Sequence, residues 1–320
     1  MEIKDANELA SGKNLRESLI LLLKAGIEEM NKLANDKRGL EDPDIVHDLR
    51  VSARRLQTVL ESIGAILPAG ILRKSKAKIK DIIKTLGKAR ENDVSIGLIN
   101  RLLKNSKKED GRDTIKLIIA RLKNETNKER ERAVSNSNVY NDIKYFNNEF
   151  LMVITSLEIK SFKVLTSLRI SKDLKSNGLL ILPRQFDRMI KLVRVVAINN
   201  SEELHKIRIK AKPVRYTMEF FRFVYGDDFA ELTKEMKKFV EILGDIHDRD
   251  VLIEQLRDYM DEIRIYNSLN KKGNLSTGLI KKFIKTLENE RKMMFIKIET
   301  TLSEWLKGNF RERLILAMSN

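Results

Sequence analysis

Two short stretches hold the residues whose types and spacing could do chemistry. They are "VHDLRVSARRL" from Val46 to Leu56 and "LHKIRIKAKPVRY" from Leu204 to Tyr216. Each opens on His, sets a basic residue three positions later and further basic residues seven or eight later, and keeps the same apolar frame. The chain has three histidines and places two of them at these openings. On a helix at ~100° per residue, His47, Arg50 and Arg54 fall within ~60° of one another, with Arg55 off that stripe. Beside it runs an apolar stripe of Leu49, Ala53, Leu56 and Leu60. In the second copy His205, Arg208, Lys212 and Arg215 share the basic stripe, and Ile207, Ala211, Val214 and Met218 the apolar one.

No carboxylate is read at the same angle as these cations, so they repel one another unless an anion lies among them. Arg takes phosphate through a bidentate fork, and Lys as a compact charge. His adds one N–H when neutral and two when protonated beside an anion. Such a stripe suits the binding of an anion such as phosphate. A plain solvated basic face is the bland alternative, and a self-repelling stripe present twice argues against it.

A second pair of stretches follows in the same order. "TLGKARENDVSI" (Thr85–Ile96) matches "ILGDIHDRDVLI" (Ile242–Ile253). His205 stands 158 residues after His47, and Gly244 stands 157 after Gly87. These stretches add Arg90 and Asp93 in the first copy, and His247, Asp248 and Asp250 in the second. Asp93 and Asp250 are expected just after a Gly-marked break, as a cap or as carboxylates orienting an Arg from a neighbouring helix. Lys76, Lys80 and Lys84 share a face at i,i+4 spacing, and Lys237 and Lys238 stand in the matching place. They either extend the anion surface or serve as solubility charges.

The elements that must carry these residues read as helices nearly throughout. Gly (14) and Pro (4) are scarce in 320 residues, which suits long helices and not a turn-rich β fold. Asn14–Leu33 is amphipathic at helical period. Asp42 as cap, Pro43 at the first helical position and Asp44 in the first turn mark the start of the first motif helix. Further helices are expected from Pro68 to Leu86–Gly87, across "ENDVSIGLINRLL", across Arg112–Val134, and over Tyr140–Ile170 or part of it. Others start at "NNSEEL" and "YGDDF", and a long last one holds Trp305. "SKDLKSNGLLILP" (Ser171–Pro183) reads as the linker, because it mixes Ser, Asn and Gly and ends in Pro. The repeat divides the chain into a bundle half over 1–170, a linker over 171–182 and a second half over 183–320, the two halves forming one domain.

Net charge +16 points to an anionic partner: nucleic acid, an anionic membrane or a phosphate-rich ligand. With no Cys, disulfides, thiolate metal sites and Cys nucleophiles are excluded. The start, "MEIKDANELASGK", is charged and lacks an apolar core. The longest apolar run falls well short of the ~20 residues a bilayer needs, so no membrane span is expected. A cytoplasmic protein is the expectation.

The pattern H-x-x-R-x-x-x-R/K, present twice and each time followed by LG-x-x-[R/H]-x-x-DV, resembles the conserved histidine α-helical domain family, CHAD. The resemblance covers Asp42–Val94 and Ser201–Val251. It implies an all-α fold of two pseudo-symmetric antiparallel four-helix bundles around a basic groove or pore. It implies binding of inorganic polyphosphate without catalysis or cofactor, association with polyphosphate granules, and a triphosphate tunnel enzyme as a partner. It also implies that His47, Arg50, Arg54, Arg55, Arg90, His205, Arg208, Lys212 and Arg215 line the groove. Two positions depart from the family pattern. Gln57 replaces a basic residue, and Pro213 stands where the first copy has Arg55, at a depth where Pro tends to kink a helix.

Other readings are weaker. His47–Asp48 and His247–Asp248 suggest a metal-dependent HD-type phosphohydrolase, but three histidines are few, and Arg50 and Arg54 beside His47 would repel a divalent cation. Glu288, Glu290 and Lys292 form a literal E-x-E-x-K, which serves triphosphate tunnel enzymes on a strand. In a helix its two carboxylates point ~200° apart. No P-loop or Gly-rich dinucleotide fingerprint appears. Nucleic-acid binding fits the charge, yet the stripes lack interleaved aromatics for stacking bases. A purely structural bundle and membrane docking complete the set, and the latter lacks an apolar face beside the basic stripes.

Overall fold

The computed structural model describes residues 15–62, 67–106, 110–135, 138–159, 174–195, 201–270 and 275–319. Their regular structure is helical: α1 (Leu15–Ala34), α2 (Pro43–Ser62), α3 (Ala69–Thr85), α4 (Gly87–Lys104), α5 (Arg112–Ser135), α6 (Asn138–Tyr145), α7 (Leu151–Ile159), α8 (Leu174–Val195), α9 (Ser201–Phe221), α10 (Asp227–Leu269), α11 (Gly278–Lys307) and α12 (Phe310–Ser319). One π turn, Phe146–Phe150, joins α6 to α7. The start of α2 forms as its sequence dictates. Asp42 Oδ1 accepts from the Asp44 N–H at 2.8 Å and from the Ile45 N–H at 3.4 Å, so two donors that a helix start leaves open are satisfied.

The two motif helices bury the faces that their periodicity selects. Leu49, Ala53, Leu56 and Leu60 on α2 are fully buried, as are Ile207, Ala211, Val214 and Met218 on α9. These faces belong to one apolar core that draws on α1 to α3, the end of α5, α6 to α9, the first half of α10, the C-terminal half of α11, and α12. A second cluster packs α4 and α5 against the C-terminal half of α10 and against α11. Both clusters mix residues from before and after the expected linker, so neither half has a core to itself. The halves meet where α2 packs on α9 and α4 on α10. At the second contact Ser95 donates to Gln255 Oε1 at 2.8 Å.

Three expectations are corrected. Residues 174–182 of the predicted linker 171–182 are helical, within α8, which also runs through Pro183. The small residues there serve close packing rather than flexibility. Leu174, Asn177 and Gly178 are buried, and a Cβ on Gly178 would fall on the Tyr225 hydroxyl. That hydroxyl donates to the Lys175 carbonyl at 2.5 Å, pinning the α9–α10 turn against α8. The rest of the linker, 171–173, lies outside the described residues, as does all of 160–170. The second Gly-marked break is also absent, because Gly244 lies inside the 43-residue α10 with open space where its Cβ would be. Only the first copy breaks, at Leu86 between α3 and α4. Finally, α11 does not end the chain's helical structure: Asn309 turns left-handed (φ 51°) and α12 folds back onto α8. Pro213 leaves α9 continuous from Ser201 to Phe221.

Gly178→Ala is therefore expected to destabilise the protein by about 1–3 kcal/mol through overpacking. Tyr225→Phe, which removes the atom the new methyl meets first, should cost less in that background than alone. Chemical denaturation of the four proteins checks this, and a neutral G178A would contradict the close-packing account.

Candidate anion-binding site

The packing of α2 on α9 brings the two basic stripes together. The Lys212 ammonium feels Arg208 on its own helix and both Arg54 and Arg50 across the seam. The Arg208 guanidinium feels Arg54 as well. Arg90, from α4, acts on His47 and Arg50 and reaches Asp248 on α10. One cationic group is thus built from three helices, α2 and α4 before the expected linker and α9 after it, with Asp248 of α10 facing it.

Its electrostatics are those of cations held together without counter-charges. Burial, with Arg208, Arg54 and Arg50 nearby, pushes the Lys212 ammonium down to about 7. Burial, with Arg54 beside it, pushes Arg50 down to about 10. Arg208 is lowered chiefly by burial. Among the described residues no carboxylate lies within ion-pair distance of Arg54, Arg90, Arg208 or Lys212, whereas many other Arg and Lys side chains have one. Glu91 and Asp248 act only from farther off. Burial raises the Asp248 carboxyl against the pull of Arg208, which weakens even that compensation.

The histidines are shifted toward the neutral form. His47 is lowered by desolvation and by Arg90, and His205 by desolvation and by Arg208 and Lys212. His247, the counterpart of Arg90, lies with its ring centroid 5.0 Å from that of His205. Burial and Arg208 push it down to about 4.

Arg50 has one firm partner. Its Nη1 donates to the Ile83 carbonyl at 2.6 Å, in the last turn of α3, where carbonyls lack intrahelical donors. Gly87 makes room for it, since a Cβ there would stand 3.3 Å from Arg50 Nη1. The Gly of the second motif thus has a physical reason in the first copy: it opens α4 beside the Arg50 guanidinium.

Two residues expected to line the groove are engaged elsewhere. Arg55 pairs with Glu29 on α1 at 3.2 Å, which fits its angle off the stripe. Arg215 donates to Glu219 at 2.8 Å, lies 3.9 Å from Glu241, and stacks near Tyr216. The expectation that no carboxylate shares the stripe fails one turn beyond the motif. Gln57 donates to Glu61 at 2.9 Å in the same way, and Glu61 and Glu219 stand 158 residues apart, the motif's own shift. Each stripe therefore ends in a closed i,i+4 pair. The repeat spacing carried that signal.

Asp93 and Asp250 orient arginines from neighbouring helices, the second of the two roles expected for them. Asp93 accepts two bonds from Arg130 on α5 at 2.9 and 2.8 Å. Asp250 accepts from Arg291 on α11 at 2.5 Å, and Arg291 also donates to Ser201 at the start of α9. Lys80, Lys84, Lys237 and Lys238 are exposed and Lys76 half-buried, all outside the buried group, and Lys237 stands 4.0 Å from Glu241. Glu288 and Glu290 lie on α11, bound by Arg257 and by Arg249 with Arg101, so the literal E-x-E-x-K is helical as expected. Among the described residues no group of three His, Asp or Glu side chains gathers as a metal site would require. Nor is any helix there long and apolar enough to cross a membrane.

The family model of the CHAD domain matches residues 23–257. This chain belongs to the CHAD domain family. Among solved structures it is similar to the crystal structure of the CHAD domain from the plant Ricinus communis, with 17% identity and a TM-score of 0.63, covering 91% of this chain and 92% of that one. It is also similar to PptA from Streptomyces chartreusis, with 14% identity and a TM-score of 0.56, covering 91% and 99%. At those identities the likeness concerns the fold. No curated protein matches.

An anion set among these cations returns the Lys212 ammonium toward its ordinary value near 10.5, so binding takes up a proton. The sign follows from linkage: the contribution is complete below the free value of about 7 and is lost as pH rises toward the bound value. Affinity for tripolyphosphate should fall between pH 7 and 9.5, and Lys212→Arg should flatten that fall. The ligand's own titration is common to both proteins and cancels in the comparison. Calorimetry at several pH values checks this, and parallel profiles for the two proteins would contradict it.

Proposed function

We propose that this protein binds inorganic polyphosphate without transforming it, and that Arg54, Arg90, Arg208 and Lys212, with His47 and His205, form the receptor surface, beside which Arg50 is held by the Ile83 carbonyl. The observation that carries this reading is the convergence of cations from three helices, α2, α4 and α9, with no carboxylate among the described residues in ion-pair range of Arg54, Arg90, Arg208 or Lys212. Such a cluster destabilises the free protein and is relieved by a ligand with closely spaced negative charges. A linear chain of phosphates, with roughly one charge per phosphoryl group, meets both helix faces at once. Membership of the CHAD family supports the same ligand.

We further read the architecture as two copies of one helical-bundle unit related by a pseudo-two-fold axis. Each motif helix packs on its own counterpart, and the Asp93–Arg130 and Asp250–Arg291 pairs recur in both copies. The surface then clamps a polyanion from two sides. The group holds no nucleophile poised beside a base, so we assign it no catalysis. A triphosphate-processing enzyme as partner, and residence in the cytoplasm near polyphosphate granules, belong to the same proposal.

The test is a competition titration at fixed ionic strength, with labelled long-chain polyphosphate against RNA and heparin and phosphate release followed in the same tubes. Expected are tight binding poorly displaced by RNA, no phosphate released, and a log–log salt slope of roughly −3 for four to five contacts. Arg54→Glu should weaken binding tenfold or more while the protein stays folded. Equal displacement by every polyanion would reduce the site to a general basic surface, and released phosphate would make the protein an enzyme.

A further inference from the structure

The two copies of the motif are not equivalent, and the difference lies in one helix break. In the first copy α3 ends before α4 begins, and the freed Ile83 carbonyl takes Arg50 Nη1. In the second copy the same region is the unbroken interior of α10, whose carbonyls are used within the helix. Arg208, the counterpart of Arg50, therefore has no carbonyl to take. Its Nε is buried and makes no hydrogen bond. A buried donor left open costs stability, and natural structures rarely keep one without a role.

Among the described residues the groups around that donor make no ion pair, and the Asp248 carboxyl acts on Arg208 and Lys212 only from farther off. Lys212 lies one turn on, with no hydrogen bond or ion pair among the described residues. His205 and His247 stand beside each other at 5.0 Å between ring centroids. In the first copy the place of His247 is held by Arg90.

We infer that Arg208 and Lys212, with the His205–His247 pair, form a node that takes a single phosphoryl group through its non-bridging oxygens, and that Arg50 is a positioning residue which braces the α3–α4 break. This deepens the polyphosphate reading and rests on it. The node is the anchor of the ligand, and the first-copy cations extend its hold along the chain. His247 becomes a further binding residue, facing the ligand from α10 as Arg90 does from α4. Arg54, which acts on both Arg208 and Lys212, joins the node to the opposite helix.

Because one arginine is bonded and the other is not, the two single variants should behave oppositely. Arg50→Gln loses the bond to Ile83 and should lower the melting temperature of the free protein, with affinity for tripolyphosphate falling no more than about threefold. Arg208→Gln removes an open donor and a like charge. It should leave the melting temperature unchanged or raised, with affinity falling tenfold or more, the range of a charge-assisted bond. Arg208→Lys keeps the charge without the planar Nε–H and should fall between wild type and R208Q. Calorimetry with tripolyphosphate and melting curves in phosphate-free buffer, on the full chain, read both effects. The inference is overturned if R50Q and R208Q lose affinity equally, or if R208K binds like wild type, and either result leaves the polyphosphate reading standing. If wild type itself does not bind tripolyphosphate, that reading falls with it.

Discussion

Everything in this molecule depends on holding like charges together. Two guanidinium or ammonium groups at about 6 Å repel by about 3 kcal/mol at the effective dielectric of a protein site. The α2–α9 seam places Arg50, Arg54, Arg208 and Lys212 within one another's reach. What opposes this is the apolar face on the other side of the same two helices. It buries eight residues almost completely, the large ones contributing ~1.5–3 kcal/mol each. Burial therefore outweighs repulsion, and the cations stay where they are because their helices are clamped from behind. In the proposed function, the residual tension is the source of affinity for an anion.

The same constraint explains the arrangement of the other charges. Several arginines outside the seam pair with a carboxylate on another helix: Arg130 with Asp93, Arg249 with Glu290, Arg291 with Asp250, Arg311 with Asp187. The closed pairs Gln57–Glu61 and Arg215–Glu219 stop each stripe at its lower end, so the open cations are confined to the middle of the seam.

Local physics made much of this legible from the residues alone. The Asp42 cap with Pro43 fixes where α2 starts, and the 3.6-residue period fixes which faces of α2 and α9 enter the core. The shift shared by two separate motifs predicted that two stripes would matter together, and the structure places α2 on α9. Other features depend on partners far away in the chain. Gly178 reads as a breaker until Tyr225 is seen lying on it, and Gly244 reads as a break because the otherwise similar Gly87 is one. Arg215 shares the stripe of Arg208 and Lys212 and looks like their equal until Glu219 and, from α10, Glu241 are seen beside it. The meeting of His205 with His247 joins residues with no local signal between them, set by the packing of α9 on α10.

The measurement that bears most directly on the central claim is the melting temperature of Arg54→Gln with and without tripolyphosphate. Removing one cation from the cluster should raise the melting temperature in anion-free buffer by about 1.5 °C, as a relief of about 1 kcal/mol would in a chain of this length. The same variant should lose most of the stabilisation that tripolyphosphate gives the wild-type protein. A variant that melts lower in anion-free buffer, or that keeps the full ligand-induced shift, would contradict the account of a self-repelling cluster held open for an anion.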